Sequence, residues 1–185
     1  MIASNHLSYM DILILSSVAP MLYISSVEMR GTPFVGLIAD LGGTLFVERR
    51  NRDNIDAEIN EISQALQHGF NVVLFAEATS SDGSSVLPFK RSMLTAATQT
   101  GASLLPLTIN YRKLDGEPVT AANRDRLCWY GDMTFLPHFR EVLANENAVV
   151  DLTFHAPFPL AKDADTKPIA QHLHDLISEA YAPLK

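Results

Sequence analysis

The chain reads as one α/β domain spanning residues 1–185, with a mostly parallel central sheet and helices on both faces. Three observations predict this. Strand-like and helix-like segments alternate along almost the whole length, which is the pattern of parallel sheets built through helical crossovers. The run Phe70 to Phe75 is apolar around Val72-Val73-Leu74, as a strand covered on both faces should be, and Leu104 to Tyr111 reads as the next buried strand. Polar clusters follow three of the strands directly, at the sheet end where ligands of open α/β folds sit.

The elements follow in order. A short apolar start reaches Asn5-His6 almost at once. Ser8 stands three residues before Asp11 and ahead of Ile12-Leu13-Ile14-Leu15, so a capping-box-like helix start is predicted, with a helix over 8–18 stopped by Pro20. Met21 to Val27 is β-rich. Thr32-Pro33 opens a helix with proline in its first turn, and Gly42-Gly43 ends it. Thr44 to Val47 reads as a strand delivering Glu48, Arg49 and Arg50. Asp53 or Asn54 caps a clearly amphipathic helix with Ile55, Ile59, Ile62 and Leu66 on one side and Gly69 at its end.

After the strand at 70–75 comes a polar loop, Glu77 to Ser85. A small-residue helix follows over 92–100. The strand at 104–111 contains Pro106, which predicts a bulge or an edge there. Residues 112–126 are polar and read as an excursion from the fold. A strand over 127–130, a helix over 135–143, a strand over 149–155, a loop at 157–165 and a last amphipathic helix over 168–181 complete the chain.

Composition narrows the function classes. With 47% apolar and 19% charged residues, the formal charge of −7 argues against nucleic acid as the main partner, although Arg49-Arg50-Asn51-Arg52 and Lys90-Arg91 form local basic clusters. The single cysteine, Cys128, excludes an intramolecular disulfide and reads as a small buried apolar residue. The apolar stretch from Ile12 to Val27 is broken by four serines and Pro20, short of the ~20 apolar residues a spanning helix needs. The abrupt start before a buried site nevertheless reads as a truncated form of a longer protein, lacking an N-terminal membrane-anchoring segment. G-x-S-x-G, P-loop, GxGxxG and HExxH motifs are absent. His172 and His174 point to different helix faces, so they do not make a metal pair.

His6 and Asp11 carry the first chemical hypothesis. Five residues along a regular helix would turn them about 140° apart. They meet only if His6 lies in the turn and Asp11 in the first helical turn. Asp11 would then accept from the Nδ1–H of His6 and leave Nε2 as a base. The alternative from spacing alone makes Asp11 a capping carboxylate and His6 a loop histidine.

Four blocks in order then resemble the glycerolipid acyltransferases, the 1-acylglycerol-3-phosphate acyltransferase family. Asn5-His6-Leu7-Ser8-Tyr9-Met10-Asp11 resembles its NHxxxxD motif, and Gly43 to Arg49 its GxxFxxR block. Phe75-Ala76-Glu77-Ala78-Thr79-Ser80 resembles FPEGTRS, and Leu105-Pro106-Leu107 the fourth block. Residues 81–90 and Trp129 to Met133 look like the bacterial lysophospholipid and lyso-ornithine-lipid branch. The resemblance covers residues 2 to about 155.

The resemblance implies transfer of a fatty acyl group from an acyl-CoA or acyl carrier protein thioester to a hydroxyl of a lysolipid. His6 would be the general base and Asp11 its orienting carboxylate. Asn5, Gly43, Phe46, Arg49, Glu77 and Thr79 would form the substrate pocket, with Arg49 on an anionic headgroup. No cofactor is implied beyond the thioester co-substrate. The expected site of action is the cytoplasmic face of the inner membrane, bound peripherally or through a segment absent from this chain. Three positions depart from the pattern: Ala76 for proline, Ala78 for glycine and Ser80 for arginine. Alanine at 78 resists a positive φ, and serine at 80 removes a phosphate-binding charge, leaving room for another headgroup. Two other readings are a lysolipid-binding module with weakened turnover and an acyl-thioester hydrolase using the same pair.

Overall fold

The computed structural model describes residues 1–31, 36, 39, 44–48 and 55–185. The helix expected over 32–41 with its Gly42-Gly43 stop, the Arg49-Arg50 pair and the Asp53/Asn54 cap lie outside the described residues, apart from Gly36 and Ala39, which are helical. The elements are β1 (Ile2–Ser4), α1 (Met10–Val18), β2 (Leu22–Ser26), α2 (Val27–Arg30), β3 (Leu45–Val47) and α3 (Ile55–Gln67). They continue with β4 (Val72–Phe75), α4 (Leu94–Thr100), β5 (Leu105–Leu114), β6 (Glu117–Pro118), α5 (Phe135–Leu143), β7 (Ala148–Phe154) and α6 (Thr166–Ala180).

The strands form one sheet in the order β3-β2-β4-β1-β5-β6, with β7 also paired to β5. Pairing is parallel from β3 to β5, and β6 and β7 run antiparallel to β5. β1 is central, between β4 and β5, so whatever follows Ser4 emerges in the middle of the sheet end.

Alternation along the strands divides two cores. Ala3, Val72 and Leu74 face one core, where α3, α4 and α6 contribute Ile59, Ile62, Leu94, Ala97 and Leu173. Ile2, Val73 and Phe75 face the other, which Leu15 of α1, Leu127, Cys128, Tyr181 and Leu184 close. Burial on both faces is why β4, Val72–Phe75, is apolar throughout.

Four expectations are corrected. Residues 127–130 are not a strand: Leu127 and Cys128 are buried by packing, and the Trp129 N–H donates to the Leu7 carbonyl at 2.9 Å. The apolar run there is satisfied as a cover over the second core rather than by a sheet neighbour. Val27 begins a short helix instead of ending β2. β5 continues to Leu114, so the polar excursion starts later and contains β6 and a 3₁₀ turn at Arg124–Arg126. The register shift in β5 falls between Tyr111 and Lys113, not at Pro106. Leu105 donates its N–H to Met1 toward β1, and the Pro106 carbonyl accepts from His155 on the β7 side. The missing proline N–H thus faces the side where the β7 ladder is ending, and no bulge is needed.

Candidate active site

The chain leaves β1 at Ser4 and enters α1 at Met10, and the five residues between form the turn that carries His6. α1 starts later than residue 8, but Ser8 still performs the capping chemistry. Its hydroxyl accepts from the Met10 N–H at 3.3 Å, and its own N–H donates to Asp11 Oδ2 at 3.0 Å. That reciprocity is the capping box.

The same Asp11 oxygen also meets the ring of His6. The His6 Nδ1 to Asp11 Oδ2 distance is 2.8 Å, and the Leu7 N–H donates to Oδ2 at 2.8 Å. Tyr111 donates its O–H to the second oxygen, Oδ1, at 2.8 Å. The capping and the histidine-orienting readings of Asp11 are therefore one arrangement. Asp11 is 0% exposed, and donors on both of its oxygens satisfy the charge that burial would otherwise penalise. Tyr111 is fully buried, and burial followed by the Asp11 charge pushes its phenol well above its ordinary value, so it stays a neutral donor.

The His6 side chain keeps 18% exposure. Its ring stacks on Phe75 at 3.9 Å between centroids, with planes 14° apart. Nδ1 is spent on Asp11, and Nε2 has no hydrogen-bond partner among the described residues. The backbone of His6 is gripped from both sides by the loop after β4. Its N–H donates to Glu77 Oε1 at 2.8 Å, and its carbonyl accepts from the Ser81 N–H at 3.0 Å.

Glu77 holds a second element with its other oxygen, which accepts from the Leu87 N–H at 3.0 Å. Burial pushes its carboxyl up to about 7, against the two backbone donors that pull it down. The Asn5 amide is likewise committed: Nδ2 donates to the Ile109 carbonyl at 3.0 Å and Oδ1 accepts from the Ile109 N–H at 2.8 Å. This clips the His6 turn to β5. Asn5 and Glu77 were assigned to substrate from the sequence; their polar atoms here face the protein backbone.

Of the remaining expected pocket residues, Thr79 and Phe46 are among those described. Thr79 is exposed and its hydroxyl donates to the Ser80 carbonyl at 3.3 Å. Phe46 lies on β3 with the Arg30 guanidinium 5.2 Å from its ring centroid. Gly43 and Arg49 lie outside the described residues. Tyr111, Phe75 and Ser81 were missed. Tyr111 is 100 residues from Asp11, and only the β1–β5 pairing brings them together, so no local signal marks it.

Ala78 has φ 62°, the left-handed conformation in which the family pattern has glycine. The turn from Phe75 is closed by the Ala78 N–H donating to the Phe75 carbonyl at 3.0 Å. Alanine therefore adopts the backbone that glycine serves, at a steric cost.

A cavity of about 730 Å³ adjoins this turn, walled by Ile24, Val47, Leu74, Phe75, Ala78 and Met93 among others. It opens at the C-terminal ends of β2, β3 and β4, and shares Phe75 with the His6 stack. The arrangement is a histidine with one ring nitrogen oriented by Asp11 and the other without a partner among the described residues; the cavity wall meets it through Phe75. Among the described residues no set of histidine, cysteine or acidic side chains is arranged to hold a metal ion, and no helix is long and apolar enough to cross a membrane.

Comparison with known proteins points to one family. The chain is 33% identical over 178 residues to the lyso-ornithine lipid O-acyltransferase of Rhizobium meliloti, covering 92% of this chain and 61% of that protein. It is also 33% identical over 184 residues to the lyso-ornithine lipid O-acyltransferase of Brucella abortus, covering 96% of this chain and 69% of that protein. The chain thus spans about three fifths to two thirds of the length of these relatives. The crystal structure of the 1-acyl-sn-glycerophosphate acyltransferase from Thermotoga maritima shares the fold, with a TM-score of 0.62 at 23% identity, over 97% of this chain and 63% of that one. A sequence model of the acyltransferase family matches residues 1–110, which include the His6 turn, the Glu77 loop and the residues that wall the cavity. With more than half of its residues under that model, and relatives a third identical along nearly its whole length, this chain belongs to the acyltransferase family.

Proposed function

We propose that the chain is the catalytic domain of an O-acyltransferase that moves a fatty acyl group from a coenzyme A or acyl carrier protein thioester to a lysolipid hydroxyl. The observation that carries this reading is the 2.8 Å contact of His6 Nδ1 with Asp11, which leaves Nε2 without a hydrogen-bond partner among the described residues. Nε2 takes the proton of the acceptor hydroxyl as its oxygen attacks the thioester carbonyl. The tetrahedral intermediate collapses, the C–S bond breaks, and the imidazolium returns the proton to the departing thiolate. Asp11 stabilises that imidazolium and fixes its tautomer. The cavity's apolar walls suit an acyl chain, and Arg49, Gly43 and Thr79 complete the acceptor site as the resemblance implies. The lipid substrates place the enzyme at a membrane surface, on its cytoplasmic face, where acyl thioesters are made.

Ala78 supports turnover over a binding-only role, because the positive φ expected of glycine is kept at 62°. The test is release of free thiol from a long-chain acyl-CoA or acyl carrier protein across several lysolipids. His6→Ala is expected to lower kcat/KM by at least about 10²-fold while the fold persists, since a general base contributes roughly 10²–10⁴-fold. Full activity in that variant would overturn the proposal, and thiol release independent of any lysolipid would make the chain a thioester hydrolase.

A further inference from the structure

The turn that carries His6 is held from two directions. The loop after β4 grips residue 6 itself, through Glu77 and Ser81. Residues 7 and 9 are gripped instead by the segment from Trp129 to His138. The Trp129 N–H donates to the Leu7 carbonyl at 2.9 Å, and the Tyr9 hydroxyl meets His138 Nδ1 at 2.9 Å. The Tyr9 ring makes edge contacts with Trp129, Phe135 and His138, at 5.8, 5.2 and 5.4 Å between centroids. This second grip comes from beyond residue 110, where the match to the family model ends.

His138 is the buried residue of α5, 5% exposed, on a helix whose Leu136, Arg140, Glu141 and Leu143 face solvent. Its Nε2 is buried toward the Cys128 backbone without a hydrogen bond of ordinary geometry. Burial pushes the imidazole below its ordinary value, against the Cys128 backbone, Glu141 and Asp125, which favour its charged form. Burial also pushes the Tyr9 phenol up to about 12. Both rings are therefore neutral near pH 7, and the phenol donates while Nδ1 accepts. An apolar side chain would bury at position 138 without the desolvation that an imidazole suffers. What the imidazole adds is an acceptor for Tyr9.

Tyr9 stands where that hold reaches the site. It immediately precedes α1, and its carbonyl accepts from the Ile12 N–H at 3.2 Å, closing the turn that contains Asp11. Fixing the phenol fixes the start of α1, and with it the angle at which Asp11 meets His6 Nδ1. We propose that Tyr9 and His138 are positioning residues for the acyl transfer, their hydrogen bond anchoring the start of α1 so that Asp11 and His6 stay in register. The consequence for turnover rests on the acyltransferase reading; the consequence for the His6–Asp11 contact does not.

The experiment compares the wild type with Tyr9→Phe, His138→Leu, the double variant and His138→Asn, which keeps an acceptor near the place of Nδ1. Thermal melting checks that each folds. Transfer is measured from a long-chain acyl-CoA to a lyso-ornithine lipid and to a 1-acylglycerol-3-phosphate. Tyr9→Phe and His138→Leu are each expected to lower kcat about tenfold with KM for both substrates within about twofold, as misalignment of a bound reactant does. The double variant is expected to be no slower than the slower single variant, within about twofold, because both remove one interaction. His138→Asn is expected to recover kcat to within about threefold of wild type. Independently of activity, the His6 Nδ1 proton, assigned by its loss in His6→Ala, is followed by NMR. Its exchange with solvent is expected to quicken at least about tenfold in Tyr9→Phe. Unchanged kcat in either single variant, a change carried by KM, or multiplying losses in the double variant would overturn the inference. So would unchanged proton exchange. Faster exchange in a chain that transfers no acyl group to either lysolipid would keep the inference for the His6–Asp11 contact and remove the acyltransferase reading.

Discussion

At the scale of single residues, the site is organised by what Asp11 accepts rather than by what His6 contacts. Two backbone N–H groups, the imidazole and the Tyr111 hydroxyl converge on one buried carboxylate. Tyr111→Phe keeps the ring in the core but leaves Oδ1 without its donor. Hydrogen bonds to charged groups contribute about 1.5–3 kcal/mol, so a loss of about 2 kcal/mol in urea unfolding is expected, with a severalfold lower kcat as Asp11 loosens. Unchanged stability would show that water replaces the phenol. Glu77 gives a pH prediction. Its folded carboxyl sits at about 7, above the ordinary 4.5. Between those values the folded chain keeps a proton that the unfolded chain has released. Its contribution to stability therefore falls as pH rises through that window, by about 3 kcal/mol at most. Glu77→Gln is expected to flatten this part of the stability–pH curve; an identical slope in both proteins would argue against it.

At the scale of elements, the loop between β4 and α4 is where the sequence departs from its family and where the structure absorbs the departure. Ala78 takes the left-handed conformation at φ 62°, which costs an L residue about 1–2 kcal/mol. Ala78→Gly relieves that strain against a smaller loss of chain entropy. A gain of about 0.5–1 kcal/mol is expected, read as a higher melting temperature; a lower one would mean the Ala78 methyl contributes packing at the cavity wall. Gly83 in the same loop is the opposite case. It has φ 74°, and an added Cβ would lie 2.6 Å from Leu184 Cδ1 and 2.9 Å from the Tyr181 hydroxyl. Gly83→Ala is expected to destabilise by more than 1 kcal/mol and to speed hydrogen exchange at Ser81, whose N–H holds the His6 carbonyl.

At the scale of the whole molecule, the two cores are joined through the end of the chain. Leu173 of α6 belongs to one core, and Tyr181 and Leu184 just beyond α6 belong to the other. The Tyr181 O–H and the Leu184 N–H both donate to the Gly83 carbonyl at 2.8 Å. Arg124 adds an ion pair to Asp82 at 2.8 Å and a hydrogen bond to the Leu184 carbonyl at 3.2 Å. The loop that grips His6 is therefore held by Arg124 and by Tyr181 and Leu184 from the end of the chain. Leu173→Ala removes a fully buried side chain and is expected to cost about 2–5 kcal/mol. Tyr181→Phe keeps most of the packing, and its effect is expected in the Gly83 loop first, as local exchange rather than global unfolding.

How much was legible follows from how local each determinant is. Alternating periodicity and apolar runs fixed the α/β class, because burial on two faces leaves a direct mark on composition. Ser8 and Asp11 marked the turn of His6, because capping acts within four residues. Pro106 misled about the bulge and 127–130 about a strand, since both depend on which neighbour each backbone group faces. The sequence by itself determined the class of fold, the His6–Asp11 pair and the family blocks, all set by short-range chemistry. Only the tertiary structure decided that Tyr111 supports Asp11 and that Glu77 and Asn5 hold backbone. Those depend on strand order and packing, which bring together groups too far apart in the chain for any local pattern to pair them.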